Sequence, residues 1–341
     1  MEEEKRKVQM TGGSTLIVSL PIDWARSVGI NQGDEVTLIR GADNSILITT
    51  GTKKQEAFST VIELFPDEKP EDILRLLIAN YLVGYDIIKL ISREGFSTQD
   101  RKWIKDSVRQ GLIGLEVVDE SGDELILQSL LNYEELSLEK TFQRMARILK
   151  SMQKDSITAL KDGNVALARD VIQRDNEVDR FYLLIVRQLK AAIGDYKVAK
   201  KMGIEHQREC MGYRLIAKSM ERIADHAEKI AKDATQMKGI DPKLTAEITE
   251  AGDFVLNSFD NVFACLFKKD VKAANKAIAE SQEAVELVTA VSERVLKNRH
   301  DTINQIHLRS ALESLKRMAE YGVDISEMMI NMSVKEPERW T

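Results

Sequence analysis

From Leu136 to the end of the chain, apolar residues recur at steps of three and four, the period of a helix that buries one face. Leu138, Phe142, Met145, Leu149 and Met152 form the first stripe. Gly163 and Asn164 then stand side by side as a C-cap and an N-cap. They separate this helix from a second one running from Val165 to about Ile193. A third runs from about Glu205 to Met237. Asp241-Pro242 restarts the pattern as N-cap and first helical residue. The pattern also repeats. A shift of 106 residues puts Leu138 on Leu244, Phe142 on Ile248, Leu149 on Val255, Leu160 on Leu266 and Ile172 on Ile278. For the third helix the shift is 95, with Met220 on Leu315, Ile223 on Met318 and Ile230 on Ile325. The difference implies a shorter loop between the second and third helices of the second unit. The expectation is two tandem antiparallel three-helix bundles, 136–238 and 241–334.

The period changes upstream. Residues 53–135 alternate strand-like and helix-like runs in the order βαβαββ: "FSTVIEL", "PEDILRLLIANYLVG", "YDIIKLIS", "STQDRKWIKDSVRQGL", and a hairpin of "LEVVDES" and "GDELILQSL" around "SGD". No glycine-rich phosphate loop follows a strand and no nucleophile elbow is present. An enzyme hidden here would need a pocket with perturbed carboxylates or lysines. Residues 1–52 read as short strands, "STLIVSL", "DEVTLIR" and "SILIT", the last after a "GADN" turn. Between the first two, Pro21 opens a short helix carrying Trp24 and Val28, and Gly29 closes it. The fold class is therefore mainly α with an α+β N-terminal part.

Composition narrows the setting. A chain of 341 residues is long for one core, and 43% hydrophobic with 30% charged residues is the balance of a soluble, helix-rich protein. No run of eighteen apolar residues could cross a membrane, and "MEEEKRK" is not a signal peptide. Cys210 and Cys265 form no CxxC pair, which suits a reducing cytoplasm. The net charge is −6. Over residues 1–54, seven basic residues are balanced by seven acidic ones, so DNA would have to be met by a local patch. Lys5, Arg6, Lys7, Arg26 and Arg40 are the candidates.

The candidate chemistry lies in carboxylates. In "MERIADHAEKIA", Glu221 and Asp225 are four apart on one helix face, where like charges destabilise a helix by about 0.2–0.5 kcal/mol. Two readings are open. They are ordinary surface charges, paired as Arg222–Asp225, Asp225–Lys229 and Glu228–Lys232. Or they face a cation. On the second helix, Asp175 and Asp179 interrupt an apolar stripe of Ala168, Val171, Val178, Tyr182, Ile185 and Leu189. Unpaired carboxylates there cost several kcal/mol and call for a lysine, an arginine or a metal ion. Four carboxylates would suit iron, zinc, manganese or magnesium. In the second repeat Ser281, Val285, Lys316 and Glu320 take the equivalent positions, so metal is expected in the first repeat only; Glu280, Glu283 and Glu313 would offer a poorer site. The histidines, His206, His226, His300 and His307, have no tight ligand spacing. His226 reads as a bundle or surface histidine, and Met145, Met152, Met211 and Met220 as core filler.

Two resemblances follow. Strand, "LP", short helix, "GINQGDEV", strand resembles the AbrB/MazE/SpoVT family of swapped-hairpin domains, with Leu20-Pro21 and Gly33-Asp34 as landmarks. It implies an interleaved dimer that often binds DNA, although "TGGST" lacks the arginine common in that loop. The tandem three-helix repeat, with "RDNEVDRF" and "ERIADHAEKIA", resembles the PhoU family of phosphate-uptake regulators. That family ligates metal clusters through E(D)xxxD motifs, matched here by Asp175 with Asp179 and Glu221 with Asp225. A PhoU-like half behind an AbrB-like half resembles an arrangement of archaeal members. The resemblance implies a homodimer, non-enzymatic and cytoplasmic, with a phosphate ABC transporter or a signalling kinase as partner. The alternative is an AbrB-type transcriptional regulator with a helical sensor.

Overall fold

The computed structural model describes residues 3–40, 45–50, 57–65, 68–132, 136–237, 242–266, 268–297 and 302–334. The "GADN" turn, Lys53, Lys54, Asp241 and His300 lie outside these. The chain divides into two units, 1–57 and 58–341.

The first unit holds β1 (Gln9–Thr11), β2 (Thr15–Ile17), α1 (Ile22–Ser27), β3 (Val36–Arg40) and β4 (Ile46–Thr50). β1 pairs with β2 and β3 with β4, both antiparallel, as separate two-stranded sheets. β1 has no sequence signature: "QMT" is three residues long and exposed throughout. Pro21 stands at the N-cap of α1, and Gly29 follows its C-cap with φ +68°. Among the described residues of this unit only Ala25 is a buried apolar side chain, while Met10, Leu16, Leu38 and Ile46 are each at least 60% exposed. Two-stranded hairpins without a covering layer do not bury a core.

The second unit begins with β5 (Ser59–Leu64), α2 (Pro70–Val83), β6 (Ile87–Ser92), α3 (Thr98–Gly111), β7 (Leu115–Glu120) and β8 (Glu124–Ser129). The sheet order is β5-β6-β8-β7, with β5 and β6 parallel and the remaining pairs antiparallel. Gly84 ends α2 in the left-handed region at φ +110°, where a Cβ would be strained. Ser97 and Asp100 form a complete capping box at the start of α3. Leu77, Tyr81, Ile88, Leu90, Ile104, Val108, Leu115, Leu125 and Leu127 make a core of their own.

Among the described residues six long helices and one short one follow: α4 (Leu138–Asp162), α5 (Val165–Gly194), α6 (Tyr196–Lys201), α7 (Glu209–Gln236), α8 (Pro242–Cys265), α9 (Val271–Lys297) and α10 (Thr302–Ser333). Gly163 is left-handed at φ +62° and the Asn164 side chain accepts from Leu167 N–H, so the paired caps separate α4 from α5. The repeat is physical: Leu138 and Leu244, Leu149 and Val255, Met220 and Leu315, and Ile230 and Ile325 are all buried. The extra residues between α5 and α7 are used by α6, so α7 begins at Glu209, later than the periodicity alone predicts. Both repeats share one continuous core.

α5 also reaches into the α/β core. Leu183 packs there, and Arg187, four residues on and 1% exposed, lies over the Tyr81 ring at 4.8 Å. Its guanidinium donates to the carbonyls of Tyr81, Gly84 and Tyr85 and to Asp86 Oδ1 at 3.4 Å. A cation thus satisfies the carbonyl end of α2, where the helix dipole is negative.

Candidate metal centre

Asp175 and Asp179 project from α5, and Glu221, Asp225 and Glu228 from α7. The apolar stripe of α7, Ile216, Met220, Ile223, Ala227 and Ile230, is fully buried and fixes its rotation. That rotation brings its acidic face beside Asp175 and Asp179. All four sequence-predicted residues therefore belong to one electrostatic cluster, joined by Glu228. Burial, then Asp179, Glu228, Asp225 and Glu221, pushes the Asp175 carboxyl up to about 7. Burial followed by Glu221 and Asp225 raises Asp179 to about 6. Asp225 is raised by partial desolvation and by Glu221, though it stands at the exposed rim. One oxygen of Asp175, Oδ1, is buried without a hydrogen-bond partner.

A lysine meets part of this charge. Lys218 donates to both oxygens of Glu221 and sits 5.1 Å from the centre of the Tyr182 ring, on which Arg214 also stacks at 4.7 Å. Of the three surface pairs expected, Glu228–Lys232 forms at 2.6 Å. Arg222 acts on Asp225 only through space, and less strongly than the raising effects of burial and Glu221. The surface ion-pair reading therefore accounts for Glu228, and Glu221 is met by Lys218, but among the described residues Asp175, Asp179 and Asp225 form no ion pair, Asp179 feeling Lys218 only through space.

The donor chemistry fits a hard cation, with oxygen ligands and one buried oxygen lacking a partner. As placed, no three His, Cys, Asp or Glu side chains among the described residues are arranged to hold an ion. Mutual repulsion keeps like-charged carboxylates from converging by themselves. An ion held by Asp175, Asp179, Glu221 and Asp225 would tie α5 to α7 and cancel that repulsion.

The second repeat differs. Ser281 is fully buried, Lys316 pairs with Glu320 at 3.9 Å, and Arg317 holds Glu313 at 3.4 Å and Glu320 at 2.9 Å. Glu280 is met by Asn261 and Lys276. His226 turns away from the carboxylates towards α10, its ring 6.0 Å from Tyr321, and burial lowers it to about 4. His307 instead joins Asp233 at 2.8 Å, linking α10 to α7. Both cysteines are free and buried, and burial pushes the Cys210 thiol up to about 11.

Sequence reasoning did not single out Arg187, and it gave Tyr182 a place only in the apolar stripe and Lys218 no pairing with Glu221. "FYLLIVRQL" carries the missed signal: a run apolar on every side must be covered all round, and its lone arginine must find acceptors there.

In the first unit, Arg6 pairs with Glu4, and Arg26 lies 4.0 Å from Asp23. Lys5, Lys7 and Arg40 are exposed. Two of the five candidate cations are thus partly offset by neighbouring acids.

Comparison with known proteins bears on these two parts separately. The family described as "Antidote-toxin recognition MazE, bacterial antitoxin" matches residues 9–56. A Rhizobium meliloti (strain 1021) protein named phosphate-specific transport system accessory protein PhoU homolog is 25% identical over 205 residues, covering 58% of this chain and 84% of that one. The protein of the same name from Caulobacter vibrioides (strain NA1000 / CB15N) is 31% identical over 97 residues, 28% of this chain and 39% of that one. The crystal structure of the phosphate transport system regulatory protein PhoU from Streptococcus pneumoniae superposes with a TM-score of 0.50 at 16% identity, over 60% of this chain and 96% of that one. PhoU from Pseudomonas aeruginosa gives 0.50 at 17%, over 59% and 97%. These two likenesses establish the fold of the helical part. The PhoU domain family matches residues 142–234 and 248–329, just over half of the chain and one match in each three-helix repeat, and the chain accordingly belongs to the PhoU family.

Proposed function

We propose that this protein regulates phosphate uptake and phosphate signalling as a cytoplasmic homodimer, through metal-dependent contacts between its helical bundles and a partner protein. Membership of the PhoU family carries the reading, supported by relatives named as accessory proteins of phosphate-specific transport. The partner is a phosphate ABC transporter or a signalling kinase. No described helix is long and apolar enough to cross a membrane, so contact with a transporter would be made from the membrane surface.

The metal is iron, zinc, manganese or magnesium, held by Asp175, Asp179, Glu221 and Asp225. It supplies a fixed positive charge on an otherwise acidic face, so a partner meets a different surface when the ion is bound. No catalytic step is assigned. The dimer is formed by the first unit, whose exposed Met10, Leu16, Leu38 and Ile46 need a second copy to cover them.

The test measures metal content and partner binding together. The purified full chain should hold metal by elemental analysis and co-purify with the phosphate transporter or a signalling kinase from its host. Changing Asp179 and Asp225 to Asn should remove both, and should lower the melting temperature only in metal-containing buffer. Partner binding that is unchanged in the double variant would separate the function from the ion.

A second reading rests on the match over residues 9–56: a DNA-binding regulator with a helical sensor. Balanced local charge favours weak, salt-dependent binding. Replacing Lys5, Arg6 and Lys7 with Ala should abolish it and flatten its salt slope. Tight, sequence-selective binding that survives this change would promote the second reading.

A further inference from the structure

Lys218 stands on α7 one turn before Glu221, and its ammonium donates to both carboxylate oxygens, each at 2.5 Å. The Glu221 side chain is only 12% exposed, so little water reaches it and the ammonium takes water's place. The charge also acts beyond Glu221. Burial and neighbouring acids raise Asp179 and Asp225, and Lys218 works against both shifts. This one cation thus acts on Glu221, Asp179 and Asp225, all of them assigned above to the metal ion.

An ion and this ammonium compete for Glu221. The oxygen lone pairs that would bind a metal here accept N–H donors. Two positive charges on one carboxylate also repel each other. The lysine stem is flexible, and a second resting place is already within reach. It is the Tyr182 ring, 5.1 Å from Nζ, which Arg214 shares at 4.7 Å. The second repeat carries a lysine at the corresponding place. Shifted by 95 residues, Glu221 falls on Lys316 and Asp225 on Glu320, and these two pair at 3.9 Å. Asp175 and Asp179 fall on Ser281 and Val285. With one carboxylate left there, fixed cations from α10 suffice. In the first repeat a single ammonium leaves most of the negative charge uncancelled.

We propose that Lys218 is a stand-in for the metal ion: its ammonium holds Glu221 when no ion is bound and releases it, keeping to the Tyr182 ring, when one binds, so that Lys218 sets the affinity of the centre. This role rests on the metal reading given above. Loading then exchanges one cation for another.

The test is calorimetric titration of the full chain with Mn²⁺ near neutral pH, in wild type, Lys218→Met and Lys232→Met. Methionine keeps much of the stem and the helix propensity and removes the charge. Lys232→Met removes the same charge from the same helix, where Lys232 pairs with Glu228 at 2.6 Å. Lys218→Met should bind Mn²⁺ at least about tenfold more tightly than wild type, and Lys232→Met within about threefold of it. Melting temperatures give a second readout, with opposite signs in the two buffers. In chelator Lys218→Met should melt below wild type, because Glu221 loses its partner. Saturating Mn²⁺ should raise its melting temperature by more than that of wild type. Unchanged or weaker Mn²⁺ binding in Lys218→Met, an equal gain in both variants, or a Lys218→Met that melts no lower than wild type in chelator would each overturn the role of Lys218 and leave the metal reading standing. Mn²⁺ binding by Lys218→Met alone would support it, with the lysine then excluding the ion from wild type. If no form binds Mn²⁺ at millimolar concentrations, the metal reading falls and the role of Lys218 with it.

Discussion

Asp175 keeps one carboxylate oxygen buried and unpaired beside four other acids, and its folded-state pKa of about 7 lies well above the ordinary value of 3.8. A carboxyl raised on folding binds its proton more tightly in the folded state. Its contribution to stability is fully present below the unfolded pKa and is lost as pH rises through the folded one. In chelator, the protein should therefore lose stability between about pH 4 and 7, and Asp175→Asn should flatten that slope; urea unfolding at several pH values measures it. Metal competes with the same protons, so affinity should climb steeply between pH 5.5 and 7.5, roughly following the titration of Asp175 and Asp179. Asp175 and Asp179 stood out in the sequence because aspartate in an apolar stripe has few explanations, whereas Glu221 and Asp225 stood out only by their spacing and their match to the family motif. Glu228 and Lys218 did not, since which side of a helix faces its neighbour depends on the packing angle and not on spacing alone. Arg187 offers a third check. Its replacement by Met strands the carbonyls at the end of α2 and should cost on the order of 3 kcal/mol in denaturant unfolding, far more than a surface arginine.

At the level of elements, caps and periodicity located nearly all the helices, because Gly163, Asn164, Pro70 and Gly84 act locally whatever surrounds them. β1 escaped notice because three exposed residues carry no alternation, and α6 because six residues are too few to show a helical stripe. Close approaches between helices are also invisible in a single sequence. Gly252 on α8 is one: an added Cβ would lie 2.9–3.1 Å from three side-chain carbons of Ile157 on α4, where the two repeats meet. Alanine favours helix by about 1 kcal/mol over glycine. Three contacts along one branched side chain leave it little room to move, however, and overpacking costs about 1–3 kcal/mol. Gly252→Ala should thus fail to stabilise the protein, and a lowered melting temperature is the expected reading.

Among the described residues, two cores lie within 58–341 and almost no core lies within 1–57. A chain beginning at Phe58 should fold and be monomeric by light scattering, while the full chain should be dimeric. A dimer that persists without the first 57 residues would move the interface to the second unit. Tandem repeats made the helical architecture readable from one sequence, since each unit supplies an alignment for the other. The α/β part has no such internal copy. Its order of elements along the chain was legible, but the sheet order β5-β6-β8-β7 was not, because strand pairing is decided between segments far apart in sequence.

The contact made by Arg187 has a consequence for how this protein can change over time. Its partners on α2 are main-chain carbonyls, and every residue supplies one. Apart from Tyr81, whose ring lies under the guanidinium, side chains along the end of α2 can drift without weakening these hydrogen bonds, provided that position 84 still accepts a left-handed backbone. The arginine has no such freedom. Divergent relatives that keep this joint should preserve an arginine on the long helix opposite a glycine, while the residues between the two partners vary.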